Sequence, residues 1–258
     1  MKEIISLEFT NEHFETRLDG EIVVLNIKQN AFNNLTKLAI RDIMIPWMEA
    51  VDNSPDIKGI LFINEPGVLG EEEYHKFIEG MAGKLEEVNG RYKVPRFEKS
   101  EFRAIEINMI VTYIRKILGL KKVIAIALQG TVVTPYFGVS LAADLRYAAY
   151  DTVFSLSHTR YGLHPTGALP FFLPRYIGIG RSVEYLLKGG TITAEEALNL
   201  GIINKICDKE NFLENCIAEF KKICTLDMGV IKSTKELIYS FGMEFDKFTE
   251  KEANYIYR

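Results

Sequence analysis

The chain has 258 residues, 47% hydrophobic and 26% charged, which places it among globular proteins with one large core and a small appendage. A net charge of −4 excludes a broad basic face, so neither nucleic acid nor membrane is an expected partner and any anionic ligand must be met by local groups. Cys207, Cys216 and Cys224 have spacings that fit neither a zinc site nor a disulfide framework, and charges interrupt the N-terminal stretch too often for a signal or anchor, so a cytoplasmic protein with reduced thiols is expected.

Glu21 to Ile27 is short, apolar and β-branched, and follows the turn signal Asp19-Gly20; it predicts a buried strand, paired as a hairpin with Phe14 to Leu18. Leu35, Leu38, Ile43, Trp47 and Val51 recur at helical spacing until Pro55 stops the run. Lys58 to Ile63 is a second buried strand. A loop with Pro66, Gly67 and Gly70 leads into Glu71 to Phe77, whose acidic opening suits a helix N-terminus. Residues 84–100 are charged and carry Gly90 and Pro95, as a surface excursion would. Phe102 to Leu118 resumes helical spacing, and Gly119 closes it.

Val123 to Leu128 is the longest apolar run and far too short to span a bilayer, so it is a third buried strand. Phe137 to Ala143 predicts a helix of small residues, Leu145 to Ala149 a fourth strand, and the chain after Pro174 is mostly helical. Thr193 can cap a helix from Ala194 to Leu200 with Glu196 reciprocating, and Gly201 ends it. Phe212, Ile217, Phe220 and Ile223 mark one amphipathic helix and Val230 to Phe241 another. Alternating strands and helices predict an α/β fold with βαβ crossovers, divided as a core domain over residues 1–195 and a helical region over 196–258.

Val123 to Gly130, Ala142 to Ala148, then Phe154, Gly162, Pro165, Leu173 to Gly178, Glu184 to Gly190 and Ile192 to Ile203 together resemble, in order and spacing, the enoyl-CoA hydratase/isomerase or crotonase superfamily. The resemblance implies a spiral of ββα units with two sheets and C-terminal helices that support trimerisation, as a homotrimer or dimer of trimers. It implies a ligand that is an acyl-CoA or acyl-carrier thioester, with coenzyme A as part of the substrate and neither a metal nor a permanently bound cofactor. It also implies a shared device, two backbone N–H groups that bind the thioester oxygen and stabilise an enolate. Losing one such donor costs about 100-fold or more in rate.

The chain departs from that pattern at the site. The family's three-glycine run is matched by Thr134, Pro135 and Tyr136, and the middle residue, the usual donor, is a proline without an N–H. Either the Tyr136 amide replaces it or the hole is incomplete. The two hydratase glutamates are matched by Gly138 and His158, so the paired carboxylates that activate water and deliver a proton are missing. The first oxyanion segment is matched by Gly70, with Glu71 or Glu72 supplying the amide and their carboxylates read as solvated helix-start charges.

His158 is the first candidate acid/base because imidazole titrates near neutrality, and His164 the second. Arg160 either holds a substrate carboxylate or is an exposed loop cation or a subunit ion pair, and Thr166 completes the polar loop. Tyr136 either donates its hydroxyl into the site or plugs the acyl pocket. Lys28 matches a basic residue that in relatives contacts the coenzyme A phosphates. Two readings follow: an altered acyl-thioester lyase or isomerase that is not a standard crotonyl-CoA hydratase, or a silent crotonase-like binding or scaffold protein.

Overall fold

The computed structural model describes residues 5–94 and 100–255, and the helical residues 100–106 by their backbone alone. The strands are β1 (Phe14–Asp19), β2 (Ile22–Ile27), β3 (Gly59–Asn64), β4 (Glu86–Val88), β5 (Arg91–Lys93), β6 (Val123–Leu128), β7 (Thr131–Val133), β8 (Leu145–Ala149), β9 (Val153–Ser155), β10 (Thr191–Thr193) and β11 (Lys205–Cys207). The helices are α1 (Ala31–Asn34), α2 (Leu38–Asn53), α3 (Glu71–Ala82), α4 (Ser100–Gly119), α5 (Tyr136–Ser140), α6 (Leu169–Ile177), α7 (Ile179–Lys188), α8 (Ala194–Asn199), α9 (Phe212–Cys224), α10 (Met228–Ile238) and α11 (Gly242–Ala253).

The apolar runs read as strands pair into a six-stranded sheet, ordered β1-β2-β3-β6-β8-β11 and parallel from β2 onward. Parallel strands need both faces covered, which explains why Val123 to Leu128 shows no polar alternation. On one face lie Trp47, Ile60, Ile124 and Phe137; on the other Leu61, Ala125, Cys216 and Phe220. Phe220 of α9 sits so close over Gly59 that any side chain there would collide with its ring. A second sheet, β10-β9-β7, carries the loops of the site.

Several expectations need correction. The helix expected from Leu35 begins at Leu38, with α1 as a separate turn before it, and α2 continues through Pro46. The expected surface excursion contains the hairpin β4-β5, turned at Asn89 and Gly90, both with positive φ; Asn-Gly is the sequence signal for that turn. Pro95 lies outside the described residues. Pro174 sits inside α6 and marks no boundary. The helix expected from Phe137 to Ala143 is the shorter α5, and the one expected to reach Phe241 ends at Ile238, with α11 following.

Thr193 does cap α8, accepting from the Glu196 amide at 3.2 Å, but the Glu196 carboxylate takes the Tyr185 hydroxyl instead of reciprocating. Beyond residue 195, β11 joins the main sheet beside β8 and α9 packs on β3 and β6. Asp144 ties α10 to that sheet: it accepts from Ile124 N (2.6 Å), Lys235 Nζ (2.6 Å) and Tyr239 Oη (2.7 Å).

Candidate active site

The ends of β3 and β6 are stitched by a reciprocal amide pair. Asn64 Nδ2 donates to Gln129 O at 3.0 Å, while Gln129 donates its backbone N to Asn64 Oδ1 at 3.2 Å and its Nε2 to Asn64 O at 2.7 Å. Two loops leave this clamp side by side. Val133 N donates to Leu69 O at 3.0 Å, and a side chain on Gly130 would come within 3.6 Å of Gly67 N. Gly67 and Gly130 both have positive φ, the conformation glycine adopts without steric cost.

Gly70 ends the first loop, and its amide is already spent on Gly67 O at 2.9 Å. It therefore cannot offer that amide to a ligand, and the next one, of Glu71, heads α3, where first-turn N–H groups have no intrahelical acceptor. The second loop reaches Pro135 through a cis Thr134–Pro135 bond, and the amides of Tyr136 and Phe137 open α5.

The packing at Gly138 leaves no room for a side chain. A Cβ there would strike the Gly167 carbonyl oxygen and lie 2.8 Å from Gly167 C and 2.9 Å from Leu169 N, all backbone atoms. Gly167, with φ of 72°, is in turn held against the Pro135 carbonyl. The loop that follows Thr166 occupies the space that a side chain at 138 would need. Thr166 is buried, and its hydroxyl has no hydrogen-bond partner among the described residues.

An apolar cavity of about 100 Å³ starts where the two loops meet, at Asn64, Leu69, Leu128 and Tyr136, and extends between α2 and α4. Tyr136 forms part of its wall, edge-on to Phe32 at 5.2 Å, and its hydroxyl donates to Ala31 O at 2.8 Å. That hydroxyl is thus spent on the scaffold, while the ring narrows the cavity; burial raises its pKa.

His158 is only 2% exposed; it contacts Leu186 O through Nε2 at 2.9 Å and Thr134 Oγ1 through Nδ1 at 3.5 Å, and, like Glu71, it is not part of the cavity wall. The Leu186 bond requires the proton on Nε2, so the remaining lone pair faces the Thr134 hydroxyl. Burial lowers its pKa, opposed by that bond. The ring acts as a strut between its loop and α7. His164 lies half-buried with its ring 6.3 Å from that of Tyr255. Lys28 Nζ donates to Asn11 O at 2.7 Å, which uses one of its three N–H donors.

The side chain that sequence reasoning undervalued is Glu71. Its carboxylate is not simply solvated, as Glu72's is beside Lys76. Oε1 accepts from the buried Ser155 hydroxyl, and Oε2 is buried, without a hydrogen bond among the described residues, 3.9 Å from the Arg160 guanidinium. Arg160 stacks over Tyr92 at 5.3 Å and donates to its hydroxyl at 3.3 Å, so it belongs to the hairpin as much as to the loop. Tyr161 packs alongside, 3.2 Å from His75 Nδ1; burial, then the Glu71 charge, raises its pKa. Nothing in the local sequence signals the Ser155–Glu71 pair, because 84 residues separate its members.

Comparison with known proteins agrees with this architecture. The enoyl-CoA hydratase/isomerase family model matches residues 96–253. A probable enoyl-CoA hydratase of Mycobacterium tuberculosis (strain H37Rv) is 30% identical over 115 residues, 44% of this chain and 40% of that protein. A trans-2-decenoyl-[acyl-carrier-protein] isomerase of Streptococcus mutans is 28% identical over 120 residues, 46% of each. The human chromodomain Y-like protein is 23% identical over 145 residues, 56% of this chain and 24% of its own. The matched segments thus span less than half of these relatives.

Among solved structures, an enoyl-CoA hydratase from Bacillus halodurans superposes with a TM-score of 0.78 at 19% identity, covering 95% of this chain and 94% of the other. One from Bacillus anthracis gives 0.73 at 19% identity, covering 93% and 90%. Those two likenesses concern the fold, whereas the family match extends over more than half of the sequence. The chain belongs to the enoyl-CoA hydratase/isomerase family.

Proposed function

We propose that this chain binds an acyl-CoA or acyl-carrier thioester and stabilises its enolate, without being a standard crotonyl-CoA hydratase. The observation that carries this reading is the meeting of the loops after β3 and β6 at the mouth of the cavity, where Val133 N bonds Leu69 O and where Asn64, Leu69 and Tyr136 line the opening. A thioester oxygen seated there would need donors aimed at its developing charge. The amides of Glu71 and Tyr136, each at the head of a helix, are the pair assigned to that task, since Pro135 has no N–H and the Gly70 amide is spent.

For acid/base work the reading moves from His158, which is held at both nitrogens, to Glu71, whose Oε2 has no hydrogen bond among the described residues and stands beside Arg160. His164 stays second. The absence of a hydratase-type carboxylate is supported by the closed contact between Gly138 and Gly167. A silent binding protein is the competing reading, favoured by that contact and by the proline in the second loop.

Assembly as a homotrimer or dimer of trimers belongs to the proposal, supported by Ile179, Val183 and Leu187 of α7, which form one stripe at 75%, 50% and 78% exposure. A cytoplasmic location is supported by the three buried, free cysteines. No helix among the described residues is long and apolar enough to cross a membrane.

The test is calorimetric titration with acetyl-, crotonyl- and octanoyl-CoA, followed by a crotonyl-CoA hydration assay. Binding of at least one thioester with negligible hydration is expected. No binding would overturn the thioester reading, and hydration at rates usual for hydratases would overturn the departure from that activity.

A further inference from the structure

The cavity is walled chiefly by Leu25, Ile40, Met44, Met48, Ile117 and Leu128, which present hydrocarbon and two thioethers. Five polar residues interrupt this wall, and three of them are bonded within the protein: Asn64 to Gln129, the Tyr136 hydroxyl to Ala31 O and the Ser140 hydroxyl to Phe137 O, which leaves Asn34 and Tyr113. Asn34, the last residue of α1 and 2% exposed, donates Nδ2 to Gln29 O at 2.9 Å. That bond fixes which way the amide points, and it leaves Oδ1 buried with no hydrogen-bond partner among the described residues. Tyr113 on α4, 8% exposed, keeps its hydroxyl buried and equally without a partner.

Buried polar groups in folded proteins are nearly always paired, and each exception needs a cause. Here an acceptor and a hydroxyl on two different helices are both unpaired beside one cavity. A bare alkyl chain in that space would satisfy neither, and leucine and phenylalanine would fill the same positions without the desolvation cost.

We propose that the cavity selects an acyl group carrying a hydroxyl, which donates to Asn34 Oδ1 and accepts from the Tyr113 hydroxyl. A single hydroxyl has both capacities, one donor and two lone pairs, which matches the unpaired set. This inference rests on the thioester reading above and sharpens it from a thioester to a hydroxyacyl thioester.

The experiment compares acyl-CoAs that differ only by a hydroxyl, hexanoyl against 6-hydroxyhexanoyl and benzoyl against 4-hydroxybenzoyl, by calorimetry on the full chain. In at least one pair the hydroxylated member is expected to bind about tenfold more tightly, as two recovered hydrogen bonds would give. Tyr113→Phe and Asn34→Leu should each shrink that preference while leaving the unsubstituted acyl-CoA bound. Tyr113→Phe keeps the ring and serves if Asn34→Leu fails to fold. Equal affinity within each pair, or a preference untouched by Tyr113→Phe, would overturn the selection while leaving thioester binding in place. If no acyl-CoA binds at all, the thioester reading falls and takes this inference with it.

Discussion

Replacing Gly138 by alanine adds one methyl group and tests the packing that shapes the site. The Cβ would strike the Gly167 carbonyl oxygen and lie 2.8 Å from Gly167 C and 2.9 Å from Leu169 N. Backbone atoms cannot rotate away as a side-chain tip can. Gly167 has no slack either, since it is packed against the Pro135 carbonyl with φ of 72°. Overpacking in a filled core costs roughly 1–3 kcal/mol, and three rigid contacts put this site near about 3 kcal/mol. For a chain of this size that corresponds to a loss of roughly 6–12 °C in melting temperature.

Urea denaturation of wild type and Gly138→Ala, with fluorescence readout, measures the difference. Gly180→Ala in α7 is the control, because nothing lies within 4 Å of a Cβ there, and a helical glycine replaced by alanine gains about 0.5–1 kcal/mol. A Gly138→Ala loss under about 0.5 kcal/mol, or one matched by the control, would refute the claim that the loop after Thr166 fills this space. Gly138→Glu, which puts back the carboxylate that hydratases carry, should for the same reason unfold the site and give no gain in crotonyl-CoA hydration.

Three further outcomes follow from the geometry. Glu71→Gln keeps the shape of the side chain and its contact with Ser155, so it should leave acyl-CoA affinity within about threefold while reducing turnover of a true substrate by about 100-fold or more; unchanged turnover would remove Glu71 from the chemistry. Lys235→Met strips the cation from Asp144, whose side chain is only 15% exposed, and should cost about 3 kcal/mol by urea denaturation, partly recovered by adding Asp144→Asn; a loss below about 1 kcal/mol would show that Tyr239 and Ile124 alone hold the carboxylate.

The third concerns pH. Burial lowers the pKa of His158 below the ordinary imidazole value of about 6.5, so the folded state binds its proton less tightly than the unfolded chain does. Stability from this group is therefore intact above about pH 6.5 and falls as the pH drops toward the lower folded value. His158→Gln should flatten that part of the stability–pH curve between pH 7.5 and 5.5, measured by denaturant midpoints, and an unaltered slope would contradict the assignment.

Periodicity alone was enough for five of the six strands of the main sheet, the three-residue β11 being the exception. Runs such as Val123 to Leu128 are apolar on both faces and can exist only between two covering layers. The order of matching segments likewise carried the family, and the proline at 135 announced a lost amide without any coordinates. The short strands β7, β9 and β10 were not legible, because strands of three residues carry no period to read. The hairpin at Asn89-Gly90 carries the turn signal in its sequence, but its two three-residue strands carry no period.

Tertiary structure sets the surroundings of the candidate residues. His158 sits in the register expected of an acid/base, and only the packing puts Leu186, 28 residues away, on one nitrogen and Thr134 near the other. An acidic run at a helix start looks solvated until Ser155 is found against Glu71. The same holds for Asn34 and Tyr113, which meet one cavity from different helices. Local sequence sets which residues can form a strand or a helix turn, because those rules act over a few positions. Whether a polar atom is paired, exposed or stranded depends on partners brought from far along the chain, and only the folded packing supplies them.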